Sequence, residues 1–373
     1  MPTATLPATD VQTQIELLER RVKQLELQVT GTANADAVRT LRELFEYALL
    51  RPVDLVKLDG HPYFMYVKDL AYTLFAEHQP DSFIRNYQLT DDDGKAPTPF
   101  PFSVEDFLEG RTDPFPRNEH YAKLIICAHL WRHDVDFAML DVGANIGYSS
   151  VPCAKFFQRF TRTNRIHAFE PGMTRDLLVA NLELNGVSGL VRPDHRAVSN
   201  RCGPVAMNSM LGHSVCDSIN DFRKHYPTMV PALAHVVNTI TVDAFVREQS
   251  ITGKIFMKVD AEGHDLQVLE GAAESFANGQ VAATIIEFVP HYLKEFIEPA
   301  QVLIDLAREH HLLYILDLTK GYHWTGHALP EDPAQLREFT KSVARSPLTY
   351  TDIVAISKRV PSASTLVRRL CSA

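Results

Sequence analysis

Residues 140–150 read Leu-Asp-Val-Gly-Ala-Asn-Ile-Gly-Tyr-Ser-Ser. The apolar run FAMLDV delivers Asp141 near its end. Gly143 and Gly147 then bracket a turn where the backbone can pass close to a ligand, because neither carries a Cβ. The N–H groups of the helix that follows, from about Tyr148, face the same pocket. The order Gly-x-x-x-Gly differs from the Gly-x-Gly-x-x-Gly of a dinucleotide turn, and no Gly-Lys-Ser/Thr closes it as in a phosphate-binding loop. A carboxylate directly before such a turn suits a cationic ligand and repels a pyrophosphate. Glu170 ends the next apolar run, RIHAFE, just ahead of Pro171. An acidic residue there can accept hydrogen bonds from ribose hydroxyls. A structural turn would explain the glycines; two carboxylates at consecutive strand ends around them point to a nucleotide-type cofactor.

The motifs resemble those of the FkbM-type methyltransferases. Asp-Val-Gly-Ala-Asn-Ile-Gly-Tyr-Ser-Ser, Ala-Phe-Glu-Pro (168–171), Leu-Glu-Leu-Asn (182–185), Thr-Val-Asp (241–243), Lys-Val-Asp-Ala-Glu-Gly (258–263) and Val-Leu-Glu-Gly-Ala (268–272) occur in the family's order. The resemblance spans roughly residues 120–358. It implies a class I methyltransferase fold, S-adenosylmethionine as cofactor and, usually, O-methylation of a sugar, glycan or polyketide-like hydroxyl. It also implies that Asp141, Gly143, Ala144, Asn145, Gly147 and Tyr148 surround the methionine and ribose ends of the cofactor. Glu170, with Pro171, would hold the ribose, and the adenine would lie near Asp194 to Val198, with Asp194 and Ala197 beside it.

By the same resemblance, KIFMKV is the strand facing the transferred methyl, and Asp260-Ala261-Glu262-Gly263 follows it. Methyl transfer needs an aligned acceptor oxygen and a group to remove its proton. Asp260 and Glu262 are the leading candidates to orient or deprotonate the hydroxyl. Adjacent carboxylates could also raise one another's pKa or hold a divalent cation through oxygen ligands. In a third reading Glu262 caps the following helix and Asp260 holds only the cofactor's amino group. His264 opens that helix, Glu287 ends the TIIEF strand and His291 follows Pro290, so these three are secondary candidates. His129 and His133 have metal-like spacing without a third ligand, and His323 and His327 lie in a glycine-containing loop. Both pairs read as core or surface residues, and no metal site is expected from them.

The elements that must position these residues alternate. From Phe137 the sequence reads as strand, helix, strand, helix, and then a third strand region at GLVRPDHRAVS. A less regular stretch runs to about Val236. TVDAFVRE then reads as helix, KIFMKVD as strand, HDLQVLEGAAESF as one helix, and VAATIIEFV, PAQVLIDLAREH and LLYILDL as strand, helix, strand. TDIVAIS is a final strand. Such alternation predicts an α/β fold, a mostly parallel sheet with helices on both faces and ligands at the carboxyl ends of the strands.

Ahead of it, Val11, Ile15, Leu18, Val22, Leu25 and Val29 form a heptad seam that favours a parallel two-stranded coil, predicting a homodimer or higher oligomer through residues 11–29. Residues 32–52 read as helix, LVKLDGHPYFMYV as a hairpin turning at Asp59-Gly60, 89–116 as loop, and Glu119 to Trp131 as helix. The expected divisions are a disordered start and coil over 1–31, an extension and linker over 32–117, the methyltransferase domain over 118–360, and a flexible tail over 361–373.

A net charge of −9 speaks against a broad grip on nucleic acid. Five cysteines without a CxxC pair, no visible secretory signal and no long apolar run suggest a cytoplasmic protein without a membrane span. Two other function classes compete with methyl transfer: an NAD-linked oxidoreductase, and a non-catalytic scaffold that recruits partners through the coil. Asp141 before the turn and the missing second glycine oppose the first; intact Asp141, Glu170 and Asp260 oppose the second.

Overall fold

The computed structural model describes residues 54–57, 64–67, 108–109, 111, 119–134, 136–157, 165–172, 174–210, 217–220, 231–317, 323–346 and 349–371. The heptad seam and the helix expected over 32–52 lie outside them. The expected hairpin is present as β1 (Asp54–Lys57) and β2 (Phe64–Val67), antiparallel, with Lys57 opposite Phe64. Its Asp59-Gly60 turn also falls outside the described residues.

The helix α1 (Glu119–His133) leads into β3 (Ala138–Val142), α2 (Ser150–Phe157), β4 (Arg165–Phe169), α3 (Arg175–Leu184) and β5 (Val191–Asp194). After an excursion, α4 (Val242–Glu248), β9 (Ile255–Val259), α5 (Asp265–Glu270), α6 (Ala273–Ala277) and β10 (Val281–Phe288) follow. The chain continues through α7 (Pro290–Leu293), α8 (Pro299–Glu309), β11 (His310–Asp317), β12 (His323–Ala328), α9 (Pro333–Arg345), β13 (Thr351–Ser357) and α10 (Ala363–Cys371). Eight strands form one sheet in the order β12-β11-β13-β10-β9-β3-β4-β5. β10, β9, β3, β4 and β5 are parallel neighbours, whereas β13 runs antiparallel between β10 and β11. β3 and β9 are buried at every position, as central parallel strands covered on both faces must be.

Alternation along the strands sorts the helices. Met139 and Phe256 join the core formed with α1, α2, α3 and α10. Leu140 and Met257 face α4 and α5, and Phe288 and Ile353 pack against α8 and α9. Asp141 and Lys258, paired in register between β3 and β9, therefore stand on the α1–α2 face. Local signals set the helix starts: the Thr241 side chain accepts the N–H of Ala244, and Asp332, before Pro333, accepts that of Gln335.

Several expectations change. The stretch before Val236 is two long strands, β7 (Gly203–Met210) and β8 (Pro231–Ile240), which pair antiparallel. With β6 (Ala197–Val198) they form a separate three-stranded sheet, so the third strand region splits after Asp194. Alternation on β8 is blurred because an apolar residue, Val236, stands 72% accessible on the exposed face beside the buried Val237. The single helix expected over 264–276 breaks at Gly271, where any Cβ would sit 2.1 Å from the Ser199 carbonyl oxygen. His323 and His327 are on β12 rather than in a loop, and the Tyr314 ring stacks on His327. Residues 363–371, expected as part of a tail, form α10, which buries Ala363, Leu366 and Leu370 at helical spacing. Among the described residues no helix is long and apolar enough to cross a membrane.

Candidate functional site

The turn after β3 is built on backbone contacts that only particular residues permit. Gly143 has φ +74°, and a Cβ there would lie 1.8 Å from the carbonyl oxygen of Asp260. The turn and the end of β9 thus touch through their main chains. The N–H groups of Gly143 and Ala144 both donate to the Phe169 carbonyl, at 3.1 and 3.0 Å, which ties the turn to β4. Ala144 itself is buried in the core, so only its backbone reaches the site. Asn145 and Gly147 also have positive φ, 47° and 92°, and the Gly147 carbonyl accepts the N–H of Val151 as α2 begins. Tyr148 is half-buried against the α1–α2 core, with Lys123 Nζ 5.8 Å from its ring centroid.

Asp141 is fully buried. One carboxylate oxygen accepts the Ser150 hydroxyl at 2.6 Å; the other has no hydrogen-bond partner and lies 3.9 Å from Lys258 Nζ. The buried side-chain oxygen of Asn145 has no hydrogen-bond partner either. Two orphaned acceptors beside a glycine turn fit a ligand bearing an ammonium or hydroxyl group.

Glu170 follows β4. Its Oε2 accepts the N–H of Asn145 and its Oε1 that of Gly172, both at 2.7 Å. Burial raises its pKa, and these two bonds with Lys258 oppose the rise. Pro171 is half-buried beside it. The side chain of Asp194, expected near the adenine, is engaged otherwise. Both its oxygens take the Arg196 guanidinium, at 3.0 and 2.6 Å, and Arg196 continues to Glu248. Ala197 is buried in β6, paired with Thr239.

The second half of the site lies at the ends of β9 and β10. Lys258 Nζ donates to the Gly143 carbonyl at 3.1 Å and pairs with Asp260 at 2.9 Å, so one cation links both halves. Asp260, Glu262 and Glu287 each offer a carboxylate oxygen, and these oxygens lie within 4.8 Å of one another. Three acids that close could share protons or hold a cation. Burial first, then Asp260 and Asp265, pushes the Glu262 pKa well up. Burial first, then Asp260 and Glu262, does the same to Glu287, with Asp352 on β13 directly opposite.

The helix α5 opens without a side-chain cap bond, so Glu262 does not cap it; the turn before it is tied by a residue the sequence reading passed over, Asp265, which accepts the N–H groups of Ala261 and Gly263 at 2.9 and 3.1 Å. Burial raises its pKa to about 6. An Asp opening HDLQVLE was the available signal. Glu262 and Gly263 sit at φ 49° and 80°. His264 turns away from the carboxylates: its Nε2 lies 2.9 Å from the Ser199 hydroxyl, and burial lowers its pKa to about 4. His291 packs against Tyr292, whose ring lies over Gly263. His129 Nε2 bonds the Pro361 carbonyl at 2.8 Å, as the structural reading of that residue expected.

Further residues without a sequence motif complete the wall. Ser218 donates to the Glu262 carbonyl at 2.7 Å and Asn220 to the Gly263 carbonyl at 2.6 Å. Asp217 approaches Gly172.

Comparison with known proteins gives a family. Residues 141–316 match the methyltransferase FkbM domain. A search among curated proteins finds no match. Among solved structures, methyltransferase FkbM from Methylobacillus flagellatus KT is 13% identical over 58% of this chain and 43% of that one, with a TM-score of 0.34. The O-methyltransferase TomG from Streptomyces achromogenes, involved in tomaymycin synthesis and solved with S-adenosylmethionine, is 13% identical over 68% of this chain and 86% of that one, TM-score 0.28. Precorrin-6y C5,15-methyltransferase from Geobacter metallireducens GS-15 is 11% identical over 59% and 80%, TM-score 0.25. Overlaps this loose establish nothing further, and the match spans less than half of the Methylobacillus chain. The match covers the segment that holds the glycine turn, Glu170 and the three carboxylates: residues 141–316 carry a methyltransferase FkbM domain.

Proposed function

We propose that this chain transfers the methyl group of S-adenosylmethionine to a hydroxyl of a sugar, a glycan or another hydroxylated small molecule. The observation that carries this reading is the convergence of Asp260, Glu262 and Glu287 at the strand ends beside the glycine turn. In this reading Asp141 takes an ammonium group through its open oxygen, and Gly143, Ala144, Asn145, Gly147 and Tyr148 line the turn. Glu170 and Pro171 hold the ribose. When bound, the cofactor supplies a methyl already activated on a sulfonium. Lys258 holds Asp260 in place to orient the acceptor, and Glu262 or Glu287 receives its proton. Burial first, then the neighbouring carboxylates, raises the pKa of both, which makes either one, when deprotonated, a stronger base than an ordinary carboxylate.

Incubating the full chain with labelled S-adenosylmethionine and a panel of neutral sugars, glycans and phenols tests this, with the methylated atom located by mass spectrometry. Methyl on oxygen is expected; methyl on nitrogen or carbon would overturn the hydroxyl assignment. Calorimetry in which NAD binds, and neither S-adenosylmethionine nor S-adenosylhomocysteine does, would overturn the cofactor site.

A further inference from the structure

Helix α1 lies ahead of the residues that match the FkbM domain, yet its first turns reach the glycine turn. Its carboxyl end is fixed at the amino ends of the strands. Asp134, just past α1, accepts the N–H of Lys254, the residue before β9, at 2.7 Å. The helix therefore runs back along the sheet and begins beside the carboxyl end of β3. There Lys123 Nζ donates to the Ser149 hydroxyl at 2.7 Å and stands 5.8 Å from the centroid of the Tyr148 ring. Residues 121–130 of this helix are all buried. Lys123 is the only lysine, arginine or carboxylate among them, and it is 4% exposed. A lysine is rarely buried that deeply unless acceptors gather around its charge.

The next residue along carries the opposite charge. Ser150 donates to Asp141, which is fully buried, just as Ser149 accepts from Lys123. A buried anion and a buried cation are thus anchored on consecutive residues where the glycine turn passes into α2. The methionine end of S-adenosylmethionine is an α-amino acid, with an ammonium and a carboxylate on one carbon. A subsite for it needs one charge of each sign close together. Asp141 answers the ammonium in the reading above. Resting on that cofactor placement, we infer that Lys123 is a further cofactor-binding residue, one that takes the methionine carboxylate. The Ser149 hydroxyl and the Tyr148 ring are uncharged, so they orient the Lys123 ammonium without cancelling its charge. The carboxylate subsite then comes from a helix outside the matched segment.

Decarboxylated S-adenosylmethionine keeps the nucleoside, the sulfonium and the ammonium and lacks only the carboxylate, so calorimetric titration of the full chain with both ligands tests this directly. The unmodified chain should bind S-adenosylmethionine at least about tenfold more tightly than the decarboxylated ligand, the gain expected of a hydrogen bond between charged groups. Lys123→Met should weaken S-adenosylmethionine and S-adenosylhomocysteine alike, by about tenfold, and the decarboxylated ligand by less than about twofold. Retained binding of the decarboxylated ligand also reports that the variant's site is folded. Lys123→Arg, which keeps the charge, should retain the preference for the carboxylate. Equal affinity of the unmodified chain for the two ligands would overturn the role of Lys123 while leaving the cofactor site standing. So would equal losses for both ligands, or an unchanged preference, in Lys123→Met. Failure of the unmodified chain to bind any of the three ligands would overturn both.

Discussion

The two halves of the candidate site, the glycine turn after β3 and the ends of β9 and β10, are both lined with carboxylates, yet they are built on opposite terms. Beside the glycine turn, Glu170 accepts two backbone N–H groups and Asp141 accepts a hydroxyl from α2. Across the Asp260 backbone, the side-chain carboxylates of Glu262 and Glu287 accept no hydrogen bond from the described residues and crowd Asp260 instead. A carboxylate with donors is fixed in orientation; one without donors keeps its lone pairs for whatever enters. The first half is preorganised. In the proposed reading, the hydroxyls of an acceptor would supply the donors that Glu262 and Glu287 lack.

The sharpest way to separate the halves is to neutralise the second. Glu262→Gln and Glu287→Gln, singly and together, should lower turnover on an identified acceptor by roughly 10²–10⁴-fold, the usual range for a lost general base. Affinity for S-adenosylmethionine should stay within about threefold, since the first half is untouched. Unchanged turnover in the double variant would remove both from the proton path.

Breaking the first half needs one methyl group. Gly143→Ala places a Cβ against the Asp260 carbonyl oxygen at a φ that side chains rarely adopt. Calorimetric affinity for S-adenosylmethionine should fall by roughly a hundredfold, about 2.7 kcal/mol. Near-normal affinity would mean that the two main chains can part without cost.

The seam between the halves is tested through Asp265. Asp265→Ala strips the N–H groups of Ala261 and Gly263 of their acceptor, at about 1–3 kcal/mol each where buried, and should lower the melting temperature by several degrees. A melting curve superimposable on that of the parent would show that water replaces the carboxylate fully.

Last, the crowded half should leave a pH signature. Folding raises the pKa of Glu262 and Glu287 and takes Asp265 to about 6, so the folded chain holds protons that the unfolded chain releases. Stability from these groups is complete below their unfolded values near 4 and is lost as pH rises through the folded ones. His264, lowered to about 4 by burial, acts in the opposite sense below its unfolded value near 6.5. The melting temperature of the unliganded chain should therefore rise as pH falls from 8 toward 6.5, and Glu287→Gln should flatten that slope. A slope identical in the variant would remove Glu287 from the linkage.

The contrast also explains what the sequence made legible. Asp141, Gly143 and Glu170 could be read because parallel strands place their ends at fixed intervals and because a turn needing φ > 0 calls for glycine. Glu287 was readable as the end of an apolar strand. Ser218 and Asn220 were not, since they act on main-chain carbonyls far away in sequence, which leave no periodicity. Asp194 shows the converse: its place at a strand end was read correctly, but Arg196 two residues on commits its side chain elsewhere. β8 escaped because apolar Val236 stands on its exposed face beside buried Val237, which blurs the alternation.

The insertion of β13 between β10 and β11 bears on synthesis. Residues 351–357 are the last of the large sheet to be translated, yet they occupy an interior position in it. While they are missing, β10 has an unpaired edge, and β11 with β12 has no strand through which to join the sheet. The parallel half carrying the cofactor turn can assemble as it emerges, whereas the strand bearing Glu287 waits for the C-terminal segment. Until then β10 offers its open backbone groups to other chains, an edge that pairing with β13 closes.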